Sequence, residues 1–197
     1  MNQDIKEESK AWAVVNIARN SNRPSSSYYI KNICDKFVSL NGDRTCYDDQ
    51  SVIAGISKIN GMAVTIIGIS KGENLKENLK RNFGMARPEG YKKALRVMKL
   101  AERNRMPIVC LIDTPGAYCG IEAEEKMRLT AADLKELGVI DKIIDEPYGG
   151  AHNNREEAAN NLRNSIVKEL NELINYDINK LIEERYSKFR MMGNMWD

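Results

Sequence analysis

The chain has 197 residues, enough for a domain with a substantial core, and its 42% apolar content is ordinary for a globular protein. Its 30 basic and 28 acidic side chains nearly cancel, so whole-chain charge gives no argument for nucleic acid or an anionic membrane surface. The longest apolar run, Met62 to Ile69, is strand-length and is interrupted by Thr65 and Gly68, far short of a bilayer span.

Met1 to Lys10 is polar with no apolar h-region, so no signal peptide is expected and a cytoplasmic location is. The next residues, Asp4 to Asn20, read as a helix with Ala11, Val14, Val15 and Ala18 on one face. A polar connector, Ser21 to Ser27, leads to a second short helix from about Tyr28 to Val38. Asn41-Gly42-Asp43-Arg44 is a turn. Ser51–Ile59 and Met62–Ser70 are rich in β-branched residues and flank Asn60-Gly61, a strong hairpin signal because both turn residues must accept positive φ.

Lys71 to Ala86 reads as a charged loop with at most a helical turn. Pro88 to Arg105 is the clearest helix. Pro88 suits its first position, Glu89 its positive end, and Arg103 and Arg105 its negative end. Tyr91, Ala94, Leu95, Met98 and Ala101 form its expected apolar stripe. Pro107 to Ile112 resembles a strand buried on both faces, followed by the loop Asp113-Thr114-Pro115-Gly116-Ala117-Tyr118-Cys119-Gly120. Thr130 is placed to cap a short helix to Leu137, with Asp133 three residues on, and Gly138 ends it. Val139 to Ile144 reads as another strand. Two helices follow, Arg155 to about Ile174 and Ile178 to about Met192. Alternating strands and helices with one hairpin predict an α/β fold with a largely parallel sheet.

The cysteines are Cys34, Cys46, Cys110 and Cys119, with no CxxC pair, and His152 is the sole histidine. A metal site built by this chain is not expected, and the thiols read as reduced and idle. His152, beside Gly149-Gly150, has no nucleophile motif near it and reads as structural. Gly68-Ile69-Ser70-Lys71-Gly72 lacks the order of a phosphate loop.

Two segments carry chemistry. A strand that ends in the Pro/Gly loop 113–120 puts backbone N–H groups at the carboxyl edge of a sheet, where open α/β folds bind ligands. Gly116 and Gly120 let a substrate approach the backbone. The second segment, Arg81-Asn82-Phe83-Gly84-Met85-Ala86-Arg87-Pro88-Glu89-Gly90, leads into a helix N-terminus, a favourable place for an anion. Lys71 to Arg105 holds eleven basic residues against four acidic ones, a patch suited to phosphates or a carboxylate. Lys92, Lys93, Lys99 and Arg103 themselves read as a solvated helix face.

In order along the chain stand AWAVVNIARNSNRP, NGDRTCYDDQSVIAGISKINGMAVTIIGISKG, KENLKRNFGMARPEGYKKALRVMKLAER, MPIVCLIDTPGAYCGIEAEE and LKELGVIDKIIDEPYGGAH. Together they resemble the alpha subunit of bacterial multi-subunit acetyl-CoA carboxylase carboxyltransferase. RNFGM-x-x-PEGY-x-KALR and IDTPGAY-x-G are the specific parts, and the resemblance runs from about Ala11 to Tyr186. It implies a crotonase-like spiral of ββα units (the ClpP/crotonase fold), with an N-terminal helical segment over 1–50, a carboxyltransferase core over 51–150 and C-terminal helices over 151–197. It implies carboxyl transfer from carboxybiotin to acetyl-CoA, giving malonyl-CoA for fatty acid synthesis.

The partners it implies are a carboxyltransferase beta subunit in an alpha2-beta2 assembly, a biotin carboxyl carrier protein that delivers the biotin, and a biotin carboxylase. Zinc belongs to the beta subunit, and this chain holds no cofactor of its own. Thr114, Pro115, Gly116, Ala117 and Gly120 would border the biotin-side pocket, and Arg81, Asn82, Phe83, Gly84 and Glu89 the adjacent wall.

The chain departs from the family after Glu125, where Lys126-Met127-Arg128-Leu129-Thr130 matches text well downstream. A GEGGSGGA-type loop and an SPEG-type segment are missing, and with them the glycine oxyanion donors, so no catalytic residue is assigned. Either the text omits a block the molecule carries, which is preferred because losing a central strand and helix would bare apolar faces, or the block is deleted. Alternatives are another crotonase-fold acyl-CoA enzyme (hydratase, isomerase or decarboxylase) and a non-catalytic partner-binding remnant.

Overall fold

The computed structural model describes residues 16–42, 44–45, 47–113 and 130–192. The chain forms two compact units, one of residues 21–116 and 146–174 and the other of residues 1–20, 117–145 and 175–197.

The first unit is built on a four-stranded sheet in the order β1 (Lys36–Ser39), β2 (Val52–Ile59), β3 (Met62–Ile69), β4 (Ile108–Leu111). The β2–β3 hairpin is borne out. Asn60 (φ 49°) and Gly61 (φ 78°) make the two-residue turn, and the register runs from Val52↔Ile69 to Ile59↔Met62. β4 pairs parallel to β3, with Gly68 opposite Leu111. The expected largely parallel sheet is corrected: β1–β2 and β2–β3 are antiparallel, and among the described residues only β3–β4 is parallel.

Helices cover both faces of this sheet. On one side α1 (Ser26–Ile33) and α5 (Arg155–Leu173) close a core of Ile30, Ile33, Ile59, Val64, Ile66, Ala159 and Leu170. On the other, α3 (Pro88–Arg103) lays Val97 on Val52, Ala54 and Ile67. That double cover explains why β3 is mostly apolar along its length rather than alternating with polar residues. The crossover β3–α3–β4 is a βαβ step, and between β3 and α3 it carries a short helix α2 (Leu75–Lys80) and a turn at Asn82–Gly84.

Several expectations need correction. The helix expected over Tyr28–Val38 is α1, which starts at Ser26 under a Ser25 cap and stops at Ile33. Residues 36–39 instead pair with β2, where the Phe37 ring lies over Gly55; an aromatic and a valine beside a ready strand favour pairing. α3 spans nearly what was expected, but Tyr91 (62% exposed) and Leu95 (52%) face outward. Its buried face is Gly90, Lys93, Val97 and Ala101. β4 is not enclosed on both faces, since Ile108 and Cys110 are exposed and Val109 and Leu111 are half-buried. Val139–Ile144, expected as a strand, forms none.

Lys93 is the largest surprise. A lysine on this helix is expected to be solvated, but Lys93 is 2% exposed. Its ammonium donates to Asp48 Oδ1 (2.6 Å) and to the Asp49 carbonyl (2.7 Å), tying α3 to the loop before β2.

In the second unit, residues 16–18 are helical, the described end of the helix expected over Asp4–Asn20. α4 (Ala131–Glu136) is capped as expected by Thr130, which accepts from the Asp133 N–H, and Gly138 (φ 66°) follows its end. α6 (Ile178–Met191) is capped by Asp177 and bonded to Asp141 through Lys188 (2.6 Å).

Candidate functional site

β3 and β4 run parallel and end side by side, so the residues just past them share one edge of the sheet. On that edge Lys71 Nζ lies 3.4 Å from Asp113 Oδ1. Gly84 is buried against both. A Cβ added to it would lie 3.4 Å from the Lys71 nitrogen and 3.5 Å from the Asp113 carbonyl oxygen. The RNFG segment is thereby brought to the residue from which the 114–120 loop departs. Thr114, Pro115, Gly116, Ala117 and Gly120 lie outside the described residues.

The turn that carries Gly84 is held in an unusual backbone form. Asn82 (φ 46°), Phe83 (φ 54°) and Gly84 (φ 79°) are left-handed in succession. Left-handed backbone costs a residue with a Cβ about 1 kcal/mol or more. The surroundings hold it there: the Gly84 N–H donates to Arg81 O (2.9 Å), the Met85 N–H to Asn82 O (2.9 Å), and the Asn82 side-chain amide to Met85 O (2.9 Å). Arg81 Nη1 donates to the Gln50 carbonyl at 2.8 Å, fixing the turn to the loop before β2. The result presents Phe83 outward, 44% exposed.

Glu89 sits half-buried in the first turn of α3. That helix end is not vacant for a substrate anion. The Asp49 carboxylate already accepts from the Arg87 N–H (2.6 Å) and the Ser51 N–H (2.9 Å). Gly90 lets it come so close, because a Cβ there would stand 2.6 Å from Asp49 Oδ2.

Sequence reasoning did not single out the other groups near this edge. Arg23 donates through both guanidinium nitrogens to Glu146, whose Oε2 also accepts from the Ala151 N–H at 2.9 Å. The Arg23 hydrogen bond holds the Glu146 carboxyl below the usual range, against its partial burial. Burial pushes the Tyr29 phenol up, with Arg23 opposing and Glu146 and Asp113 reinforcing it. Parallel pairing was the available signal for Lys71 and Asp113, since each follows the end of one of two neighbouring strands. Nothing in the sequence joins Arg23 to Glu146.

No three His, Cys, Asp or Glu side chains converge to hold a metal among the described residues. Nor is any described helix long and apolar enough to cross a membrane. Burial pushes the Cys34 thiol up, which makes it a poor nucleophile.

The chain matches a protein-family model described as acetyl co-enzyme A carboxylase carboxyltransferase-like, over residues 1–127 and again over 125–193. The chain belongs to this family. The acetyl-coenzyme A carboxylase carboxyl transferase subunit alpha of Clostridium perfringens is 36% identical over 269 residues, covering 98% of this chain and 99% of the relative. That of Clostridium beijerinckii is 37% identical over 260 residues, covering 94% and 96%. A Clostridium tetani relative, named for carboxyl transferase subunits beta/alpha, is 34% identical over 264 residues, which is 96% of this chain and 46% of that protein. The carboxyltransferase family thus includes a protein in which alpha and beta parts are named together.

The comparison also locates the break. An alignment of 269 positions is longer than the 197-residue chain, so the C. perfringens relative carries an internal block that this chain lacks. The two carboxyltransferase matches meet at residues 125–127, the Glu125–Lys126 step.

Proposed function

We propose that this chain is the alpha partner in a carboxyltransferase that moves a carboxyl group from carboxybiotin to acetyl-CoA, yielding malonyl-CoA. One observation carries the site assignment: Gly84, in the RNFG turn, packs on Asp113, the first residue of the DTPGAY loop. Two sequence segments that identify the carboxyltransferase family therefore meet at the carboxyl edge of a parallel strand pair, where backbone N–H groups are available to a ligand.

The chemistry suits such an edge. Negative charge develops on the thioester oxygen as acetyl-CoA becomes an enolate, and on the biotin ureido oxygen as the carboxyl group leaves. Fixed N–H donors stabilise both without reorganising. In this reading Thr114, Pro115, Gly116, Ala117 and Gly120 border the biotin side, and Arg81, Asn82, Phe83, Gly84 and Glu89 form the neighbouring wall. The core is a crotonase-like spiral. Biotin arrives on its carrier protein after charging by biotin carboxylase, and a zinc-bearing beta subunit completes an alpha2-beta2 assembly in the cytoplasm. The β3–α3–β4 step and the hairpin before it support a ββα repeat unit.

A second reading is favoured by the block missing at Glu125–Lys126: a subunit that binds its partner without turnover. Carboxyl transfer in a reconstituted mixture separates the two. Malonyl-CoA formed only when the beta subunit is present supports the first, and Gly116→Asp should then lower turnover about a hundredfold while assembly persists. An assembled complex that makes no product supports the second. Hydration of an enoyl-CoA by the chain alone would point instead to a different crotonase-type reaction.

A further inference from the structure

β4 has the composition of a strand covered on both faces, yet the structure covers only one. Val109 and Leu111 pack on the core that α1 and α5 close. On the other face Ile108 and Cys110 stand beside Thr65 and Ile67 of β3. Thr65 is 0% and Ile67 6% exposed, but Ile108 is 39% exposed and Cys110 is exposed as well. The cover that α3 gives this face therefore stops at β3. Ile112, on the same side of the chain as Cys110, is 77% exposed.

The backbone of β4 is open too. Among the described residues it pairs with β3 alone, so its outer row of N–H and C=O groups meets no described strand. Open edges are commonly guarded by charge. β1, at the opposite edge, carries Lys36, whereas Ile108 to Ile112 carry no charge. An uncharged edge beside an uncovered apolar face is a template for another strand.

The occupant follows from length and place. The C. perfringens relative aligns over 98% of this chain and 99% of itself, yet the alignment runs to 269 positions. The block that makes up the difference enters at the 125–127 step, shortly after β4. A second copy of this chain brings no such block with it.

We propose that β4 is the docking site of a separate polypeptide homologous to that internal block, so that the alpha subunit is completed by two chains. A strand of the partner extends the sheet along β4, and its apolar side covers Ile108, Cys110 and Ile112. The proposal does not rest on the carboxyl-transfer reading, since it concerns how the fold is completed and not what it catalyses.

The test co-expresses the full chain with a tagged probe, the block of the C. perfringens subunit that lies opposite the Glu125–Lys126 step, and reads binding alone. We expect a one-to-one complex by light scattering, with the outward amides of β4 protected from hydrogen exchange only when the block is bound. Cys110→Lys with Ile112→Lys should weaken the complex about tenfold or more in sedimentation titrations. Both side chains are already exposed, so the free double variant should keep its melting temperature. Lys168→Glu, an exposed charge on α5, should leave binding within about twofold. Absence of the complex would overturn the proposal. So would a complex that leaves the β4 amides unprotected, one that the double lysine variant does not weaken, or a free chain that self-associates through β4 and needs no block. No arm uses the beta subunit or turnover, so each of these results leaves the carboxyl-transfer reading to its own assay.

Discussion

Replacing Lys93 by methionine keeps most of the aliphatic stem and removes one buried charge. Two partners lose their donor: the Asp48 carboxylate at 2.6 Å and the Asp49 carbonyl at 2.7 Å. Breaking a fully enclosed ion pair costs about 3–5 kcal/mol. This pair is enclosed on one side only. Lys93 is 2% exposed, but the Asp48 side chain is 35% exposed, so water re-solvates much of the orphaned carboxylate. Methionine also needs no desolvation. The balance is a loss of about 2 kcal/mol, which for a chain of this length lowers Tm by roughly 4–8 °C. Thermal and urea unfolding of Lys93→Met, Asp48→Asn and the double variant form a cycle, and a coupling of about 1 kcal/mol or more is expected. The pH dependence gives a second check. Burial opposes ionisation of Asp48, but the bonds from Lys93 and the Gly42 N–H outweigh it and hold the carboxyl below its usual range. The stabilisation is therefore complete above the ordinary value of about 3.9 and is lost as pH falls below it toward the folded value. The deficit of Lys93→Met should be largest at neutral pH and shrink below about pH 4. Equal stability of Lys93→Met and wild type, or zero coupling, would refute this account of how α3 is anchored.

Two glycines on β2 and its turn separate steric from backbone costs. Gly55→Ala puts a Cβ 2.2 Å from the Val38 carbonyl oxygen and 2.8 Å from the Phe37 ring, so β1 must shift and urea unfolding should show a loss of about 3 kcal/mol or more. Gly61→Ala meets nothing within 4 Å and carries only the strain of φ 78°, about 1–2 kcal/mol by the same assay. Phe83→Gly relaxes a left-handed residue whose ring is 44% exposed, so stability should stay within about 1 kcal/mol. Carboxyl transfer should nevertheless fall, and a large loss of stability would assign Phe83 to the core instead.

What was legible in the sequence was local. Asn60-Gly61 fixed a two-residue turn, Pro88 opened α3, and Thr130 with Asp133 capped α4. Each of those signals acts within a few residues. What was missed needed a distant partner. Residues 36–39 become a strand because β2, some twenty residues on, offers a ladder. Lys93 turns inward because Asp48, 45 residues earlier, waits there. A neighbouring contact helps select the buried face of α3: Gly90 approaches Asp49 closely, which turns Tyr91 and Leu95 outward although both fit an apolar stripe. Val139–Ile144 has strand composition yet forms no strand, and composition alone does not supply a pairing partner. For the candidate site, the motifs pointed to the segment that holds Gly84, but its packing beside Lys71 and Asp113 follows from the parallel register of β3 and β4.

The most direct test follows labelled carbon. With labelled bicarbonate, biotin carboxylase, the biotinylated carrier, the beta subunit and this chain, label should enter malonyl-CoA, and omission of either carboxyltransferase subunit should abolish it. Label trapped on the carrier in a fully assembled complex, with none reaching the thioester, would contradict the account.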